Sequence, residues 1–370
     1  MTFHHLQGHW GRGVVIAMAL LATLHLSACA THLAPLSDAE QQALMSVGAD
    51  AKRIQALLDA PANEKIDAML VFKDGHMVLE RYGNGYDRDK LHDIRSSTKA
   101  ITGLLVGIAI DQGLIQSVNE SILSYFPERQ ATHPEFAPIR IVDLLTMRSG
   151  LNANDWDAKS PGNEERMYKT DSWIDFFFDL EPVHAPGERF SYSTAGVVLL
   201  GELLARATGM PYAEFAHRYL FEPLGILDYS FAATPAAEAD AGGHLKIRPV
   251  DFAKLGLLMM NGGVWGDQRI VSEEWVAESI TPRVRIPQAP QTGPYMGYLW
   301  WQEPVDSGLV RSFQSRGNGG QYLIAVPHAG LLGVFTGSAY NSPKQYQPFL
   351  LMKDYLIPAF TTEQPTNSVD

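Results

Sequence analysis

Segments of strand character lie near both ends of the 370-residue chain, and this arrangement constrains the fold most. Near the N-terminus, residues 68–72 and 76–81 flank Asp74-Gly75, a pair that supplies the positive φ of a tight hairpin. Strand character returns in residues 298–302, 320–326 and 331–336. Strands at both ends with helices between them predict an α+β fold, in which one antiparallel sheet is built from the N- and C-terminal segments.

Helical patterns fill the stretch between the two sets of strands and also flank them. Ser37 and Glu40 match a capping box, and an apolar stripe predicts a buried helix that begins near Ser96 and ends at Gly113. The predicted helical segments are residues 41–58, 96–113, 142–147, 173–180, 197–208, 212–220, 250–260 and 343–357. We therefore expect an all-helical lobe, at about residues 96–245, inserted into the sheet lobe.

The charge and the cysteine count exclude several classes of protein. A formal net charge of -12 and the lack of a basic run would repel nucleic acid. One cysteine cannot form an internal disulfide or a cysteine-rich zinc site, so the fold depends on its apolar core. The twelve histidines match no zinc motif, and no phosphate-binding or dinucleotide loop is present, so we expect neither a metal nor a cofactor.

The first 28 residues are predicted to be a signal peptide. An apolar run over residues 14–26 follows Arg12, is too short for a membrane span, and ends in small residues directly before Cys29. This ending resembles the lipobox of bacterial lipoproteins, which implies cleavage before Cys29 and its acylation. Residues 29–36 would then be a tether, and the chain would be exported to the cell envelope or periplasm. The alternative is a plain secretory leader with an accidental cysteine.

Ser96 and Lys99 place a hydroxyl and an amine on one face of a helix start. A serine becomes a good nucleophile when a base takes its proton, and a lysine can be that base if burial and neighbouring cations lower its pKa. The positive end of the helix dipole would also favour negative charge developing at Ser96. The alternative interpretation has Ser96 as a helix N-cap and Lys99 on a solvated face.

Five segments, in their order along the chain, resemble the serine β-lactamase and penicillin-binding-protein family. They are residues 95–99, 143–150, 186–193, 221–226 and 316–321. The similarity is to the branch that contains class C-like β-lactamases, D-alanyl-D-alanine carboxypeptidases, esterases and 6-aminohexanoate-dimer hydrolases. It implies a β-lactamase/transpeptidase-like domain over residues 37–360, followed by a C-terminal tail at residues 361–370.

The resemblance assigns roles to matching positions. Ser96 would be the nucleophile, Lys99 the base, and Tyr192 a second group that moves protons. The family's Tyr-x-Asn motif has Thr194 in its third position here, which replaces a substrate-contacting amide by a hydroxyl. The alternative for Tyr192 is a packed core tyrosine, and a literal Tyr-x-Asn at residues 82–84 lies upstream of Ser96 and is treated as a coincidence.

The family's third motif, Lys-Thr-Gly or His-x-Gly, corresponds to Asn318, Gly319 and Gly320. The resemblance implies that the backbone N–H groups of Ser96 and Gln321 form an oxyanion hole, and glycines would let the substrate approach closely. A bulge or turn that enters the following strand is a compatible structural interpretation.

Asn318 lacks the cation that the family has at this position, so recognition of a substrate carboxylate is in doubt. Penicillins and D-Ala-D-Ala peptides both carry that group. Arg95, Arg148 or Arg316 could replace the cation, although each is also typical of a surface ion pair.

Other residues near these motifs are candidates for the mouth of the site. The polar residues 152–157 are interpreted as a loop, a polar lip or a helper in deacylation. The aromatic candidates for an acyl pocket or for the core are Trp156, Trp173, Tyr298, Trp300 and Trp301.

These observations predict an exported, lipid-anchored serine hydrolase that acts on esters or short amides through an acyl-enzyme at Ser96. A D,D-peptidase of peptidoglycan or a weak β-lactamase is the first alternative. A non-catalytic envelope-binding lipoprotein that keeps the fold is the second. The predicted partners are a small ester, amide or peptide substrate and the membrane that holds Cys29, and the oligomeric state stays open.

Overall fold

The computed structural model describes residues 33–287, 294–306 and 310–361. The predicted signal peptide, Cys29, the start of the tether and the tail beyond residue 361 lie outside the described residues. The helices are α1 (Asp38–Ser46), α2 (Ala51–Leu58), α3 (Thr98–Asp111), α4 (Ile141–Leu145), α5 (Glu164–Met167), α6 (Trp173–Phe178), α7 (Thr194–Thr208), α8 (Tyr212–Ala216), α9 (Pro249–Met260), α10 (Glu273–Ser279), α11 (Gln347–Leu351) and α12 (Ile357–Thr361).

Most strands belong to one antiparallel sheet of eight strands, in the order β2-β1-β13-β12-β11-β10-β9-β8. The strands are β1 (Ile66–Lys73), β2 (His76–Tyr82), β3 (His92–Asp93), β4 (Tyr229–Ser230), β5 (Lys246–Ile247), β6 (Val264–Trp265), β7 (Gln268–Arg269), β8 (Val284–Arg285), β9 (Tyr295–Met296), β10 (Trp301–Asp306), β11 (Val310–Gly317), β12 (Gln321–Val326) and β13 (Leu331–Gly337). Since β1 pairs with both β2 and β13, the N- and C-terminal segments of the chain meet inside the sheet, one strand in from its edge. The predicted α+β fold is confirmed.

The hairpin of β1 and β2 turns where the sequence predicts. Asp74 and Gly75 have φ of 50° and 80°, the left-handed conformation that a two-residue hairpin turn requires. The local sequence therefore specifies the turn that joins β1 and β2.

Helices cover both faces of the sheet, so its central strands are buried on both sides. Along β1, Ala68 and Leu70 face an inner apolar cluster, and Met69 and Val71 face an outer one. The inner cluster includes α3, α7 and α9, and the outer cluster includes α1, α2, α11 and α12. Helix α3 is apolar around nearly its whole circumference, as expected of a helix inside a domain.

Several predicted elements differ from the structure; the helix predicted at residues 212–220 is α8 followed by a π-helical turn at His217–Phe221. The N-terminal helix is two helices, because Asp50 caps a second one by accepting hydrogen bonds from the N–H groups of Lys52 and Arg53. The strand predicted at residues 298–302 begins only at Trp301, since the N–H groups of Tyr298 and Leu299 donate to carbonyls outside the sheet. The final helix is interrupted by a π-helical turn at Met352–Leu356.

Strand β11 was not predicted at all. Its sequence lacks apolar alternation, since Ser312, Gln314 and Ser315 are polar but buried.

The boundaries of the helical lobe at residues 96–245 stay a prediction. Of the helices in the described ranges, none has the length and apolar character needed to cross a membrane.

Candidate active site

A tight turn carries the chain from β3 into α3 and presents Ser96. Arg95 has φ of 52°, a left-handed conformation that is uncommon outside glycine. A carboxylate oxygen of Asp93 accepts a hydrogen bond from the Arg95 N–H at 2.9 Å, and the Thr98 hydroxyl donates to the Arg95 carbonyl at 2.7 Å. These bonds hold the residue before Ser96, and Ser96 itself is half-buried at the N-terminal end of α3.

The end of β11 and the start of β12 lie against this turn. A Cβ atom on Gly317 would be 2.2 Å from the Ile94 carbonyl oxygen, so this approach requires glycine. The Ser97 hydroxyl donates to the Gln321 carbonyl at 3.3 Å. The residues predicted to form the oxyanion hole, Ser96 and Gln321, are thus on adjoining elements, and their role in binding an oxyanion stays a prediction.

Lys99 lies one helical turn after Ser96 and is buried, with 2% of its surface exposed. Its Nζ donates to Ser96 Oγ at 3.1 Å and to the Gly242 carbonyl at 2.6 Å. The alternative interpretation of Lys99 on a solvated face is wrong. The N-cap position belongs to Ser97, not to Ser96.

The main charged groups that act on Lys99 are acidic. Burial alone would lower the pKa of Lys99, but Tyr192, Glu164, Asp155 and Asp240 raise it, and the net direction is upward. Of the two conditions that would lower the pKa of Lys99, burial is therefore met, and no neighbouring cation is among the main groups that shift it. In the resting site Lys99 is an ammonium group that donates to Ser96.

Tyr192 packs beside this pair. It is 7% exposed, its ring centroid lies 5.3 Å from Lys99 Nζ, and Trp156 stacks on it at 5.2 Å. Burial raises the pKa of the Tyr192 phenol, Lys99 and Ser96 lower it, and the net direction is upward. Tyr82, in the coincidental motif, donates instead to Glu80.

A partly buried carboxylate network lies next to Tyr192 and was not predicted from the sequence. Thr194 is 0% exposed, its hydroxyl donates to Glu164 at 2.7 Å, and its N–H donates to Asp155 at 2.6 Å. Burial and the Glu164 charge raise the pKa of Asp155 to about 6, although Lys99 and Thr194 oppose this rise. The hydroxyl of Thr194 thus has a protein partner, and its contact with substrate stays a prediction.

The sequence contained only a partial signal for this network. Asp155 falls in the polar stretch of residues 152–157, whereas Glu164 and Asp240 belong to no motif. Acidic residues at unremarkable positions cannot be told from surface residues until the fold brings them together.

Ser96 opens into a polar cleft of about 130 Å³. Its lining consists of Arg95, Ser96, Glu164, Glu165, Tyr168, Gly243, His244, Asn318, Tyr340 and Asn341. A larger cavity of about 590 Å³ between α7, α8 and residues 234–239 contains none of Ser96, Lys99 and Tyr192 in its lining.

The residues of the predicted third motif lie at the edge of the cleft. Asn318 and Asn341 exchange two hydrogen bonds, from Asn318 Nδ2 at 2.7 Å and from the Asn341 N–H at 2.9 Å. Gly319 and Gly320 both have φ of 98°, a conformation that favours glycine. Their contact with substrate stays a prediction.

The three arginines considered as replacements for the missing cation all have protein partners. Arg95 pairs with Asp93, and Arg316 pairs with Glu303. Arg148 donates to the Gly187 carbonyl at 3.0 Å. None of these three guanidinium groups is therefore free of a protein partner.

The predicted aromatic residues fall into two groups. Tyr298 and Trp300 are core residues, and Trp173 packs partly buried against the same core. Trp156 is 52% exposed and lies with Tyr192 and Trp301 in one aromatic cluster, with ring centroids 5.2–6.2 Å apart.

Fold and site together define the class of protein: a β-lactamase/transpeptidase-like serine hydrolase. Comparison with known families makes the assignment specific. The chain belongs to the Beta-lactamase family, whose model matches residues 7–348.

Relatives and solved structures agree with this assignment. The 6-aminohexanoate-dimer hydrolase of Paenarthrobacter ureafaciens is 26% identical over 273 residues, which cover 70% of this chain and 68% of the relative. Other curated relatives are matched over 64% and 54% of their own length.

Two solved structures show the fold at low sequence identity. EstCE1, a hydrolase with promiscuous acyltransferase activity, superimposes with a TM-score of 0.69 at 17% identity and covers 86% of this chain and 100% of its own. The class C β-lactamase of Rhodobacter sphaeroides superimposes with a TM-score of 0.61 at 18% identity, and the match covers 87% of this chain and 100% of that structure.

Proposed function

We propose that this chain is an exported, lipid-anchored hydrolase that cleaves esters or short amides through an acyl-enzyme at Ser96. The observation that carries the proposal is the hydrogen bond of 3.1 Å between Lys99 Nζ and Ser96 Oγ at the start of a buried helix. Tyr192 beside this pair supplies a second group that can move a proton.

The proposed reaction has two halves. Ser96 Oγ attacks the substrate carbonyl, its proton passes to Lys99 once that amine is neutral, and the N–H groups of Ser96 and Gln321 bind the oxyanion. The leaving group takes a proton from Lys99 or Tyr192 as the tetrahedral intermediate collapses. Water then attacks the acyl-enzyme, one proton returns to Ser96, and the acid is released.

The charges of the cleft support a substrate without a carboxylate near the scissile bond. Asn318 is neutral, Arg95 is paired with Asp93, and Glu164 and Glu165 line the cleft. A penicillin or a D-Ala-D-Ala peptide would bring its carboxylate towards these acidic groups, which repel it. Neutral esters and short amides therefore fit better than either.

The proposed location depends on the leader, which lies outside the described residues. The apolar run of residues 14–26 and the Leu-Ser-Ala sequence before Cys29 support export followed by lipidation. Metabolic labelling with a radioactive fatty acid, compared between the natural chain and Cys29→Ala, tests the anchor separately from the activity.

The activity is tested by labelling the mature chain with a fluorophosphonate and measuring intact mass, together with turnover of p-nitrophenyl esters. We expect one adduct per chain and ester turnover, both lost in Ser96→Ala. Ser124→Ala is the matched control, because Ser124 is an exposed serine in a surface turn. It should react like the natural chain.

The outcomes separate the alternatives. An adduct with turnover of esters and amides but not of penicillin supports the proposal. Turnover of D-Ala-D-Ala peptides or penicillin in preference to esters would favour the peptidase or β-lactamase alternative. A folded chain that forms no adduct would instead be an envelope-binding lipoprotein.

A further inference from the structure

We propose that Asp155 is a positioning residue for the Ser96 reaction: it holds the Tyr192–Thr194 segment in place, and its carboxylate sets the charge on Lys99. This inference rests on the proposed function. It concerns a residue that acts through the neighbours to which it is hydrogen-bonded, Tyr192, Thr194 and Glu164.

Asp155 bonds to two separate elements of the site. Its N–H donates to the Tyr192 carbonyl at 2.8 Å, and its Oδ2 accepts from the Thr194 N–H at 2.6 Å. Its Oδ1 accepts from the Glu164 N–H at 2.9 Å. The carboxylate of Asp155 therefore ties the Thr194 N–H to the start of α5, and the backbone N–H of the same residue binds the Tyr192 carbonyl, so the position of the Tyr192 ring depends on Asp155.

The charge of Asp155 acts on a buried ammonium. The charges that act on Lys99 are those of Asp155 and Tyr192, of Glu164 from α5, and of Asp240 from the loop before β5. Tyr168, directly after α5, donates to Glu164. Among these carboxylates, Asp155 alone bonds the backbone of the Tyr192–Thr194 segment.

The two effects of Asp155 can be separated by pH. With a pKa of about 6, the Asp155 carboxyl is ionised at neutral pH and favours the ammonium form of Lys99. Removal of that negative charge destabilises the ammonium, so Lys99 loses its proton at lower pH. A residue that only stabilised the fold would change the rate equally at every pH.

The experiment measures the rate of fluorophosphonate labelling against pH, because labelling reports the attack of Ser96 without deacylation. In the natural chain the rate should rise with pH as Lys99 becomes neutral. In Asp155→Asn this rise should move to lower pH by about one unit, since one opposite charge beside the ammonium is lost. The highest rate should fall several-fold because Tyr192 is less well held.

Two further variants complete the test. Asp155→Glu keeps the charge and moves it, so the rise with pH should stay near its natural position while the rate still falls. Asp157→Asn is the matched control, since Asp157 is an exposed aspartate of the same loop whose carboxylate accepts from the Lys159 N–H. It should leave the pH profile unchanged.

A direct readout does not need activity. Lysine labelled with ¹³C at Cε gives one NMR signal for Lys99, identified by its loss in Lys99→Arg, and its titration midpoint should be lower in Asp155→Asn. An unchanged midpoint, or a rate reduced equally at all pH values, overturns the role of Asp155. If the natural chain is not labelled, the proposed function fails, and the midpoint still decides whether Asp155 sets the charge of Lys99.

Discussion

Lys99 is the residue on which the chemistry of the site depends, because it is buried, charged and bonded to Ser96. Burial favours the neutral amine, but the acidic groups around Lys99 outweigh burial and raise its pKa. The form of Lys99 that can accept the Ser96 proton is therefore a minor one at neutral pH. We expect ester turnover to increase with pH above neutrality for this reason.

Replacement of Lys99 by methionine tests its role at the residue scale. Methionine has a similar length but accepts no proton, so kcat/KM for a p-nitrophenyl ester should fall by about 10²–10⁴-fold. Asp155, Glu164 and Asp240 lose their counter-charge in this variant, which can destabilise the fold. Circular dichroism therefore checks that the variant is folded.

The matched control is Lys246→Met, since Lys246 is exposed on β5. It should keep the natural kcat/KM. A folded Lys99→Met chain with turnover within a few-fold of natural would mean that another group, such as Tyr192, accepts the Ser96 proton.

At the scale of elements, the site depends on the contact between β11 and the turn before α3. Gly317 lies at the end of β11, against the carbonyl of Ile94. Because Ser96 follows this turn and Gln321 begins β12, any shift of β11 changes the distance between the two N–H groups proposed to bind the oxyanion. The contact links the geometry of the sheet to the geometry of the nucleophile.

Gly317→Ala should impair activity more than its effect on stability suggests. The added methyl group overlaps the Ile94 carbonyl, so the strand and turn must separate, at a cost of about 1–3 kcal/mol in the free energy of unfolding. Displacement of the donors should lower kcat by about 10–100-fold. Denaturant unfolding and ester kinetics measure the two effects.

Gly113→Ala is a control of comparable instability. Gly113 has φ of 70° and open space around it, so alanine there costs about 1 kcal/mol through backbone strain, away from Ser96. The kcat of this variant should equal that of the natural chain. If both variants lose kcat in proportion to stability, the contact at Gly317 has no special role.

At the scale of the whole molecule, one sheet supports two apolar layers. Alternate residues of β1, β12 and β13 belong to the inner and the outer cluster, so we expect the two layers to unfold together. The described tryptophans all belong to or pack near the inner layer: Trp156, Trp173, Trp265, Trp275, Trp300 and Trp301.

Ile54→Ala in the outer layer should therefore be detected by tryptophans in the inner one. Ile54 is 0% exposed on α2, and its truncation should cost about 2–5 kcal/mol. The denaturation midpoint by tryptophan fluorescence should decrease by the same amount as the midpoint by circular dichroism.

Met45→Ala is the control, because Met45 is on the same face of the sheet but 63% exposed. It should change both midpoints little. An early transition seen by circular dichroism alone would mean that the outer helices unfold independently of the sheet.

Much of this molecule follows from local sequence. The Asp74-Gly75 pair sets the first hairpin, the apolar circumference of α3 predicts its burial, and the spacing of Ser96 and Lys99 puts both on one helical face. The order of the five motif segments was sufficient to recognise the family. These features depend on residues that are close together in the chain, so the order and spacing of residue types in the sequence are enough to predict them.

Only the tertiary structure decided the charge of the site. Asp155, Glu164 and Asp240 are far from Lys99 in sequence, and none of them lies at a motif position. Strand β11, which the sequence did not predict, and the bond from the Thr194 hydroxyl to Glu164 likewise depend on residues that meet only after folding. Burial and the distance between charges determine a pKa, and neither quantity exists until the chain has packed.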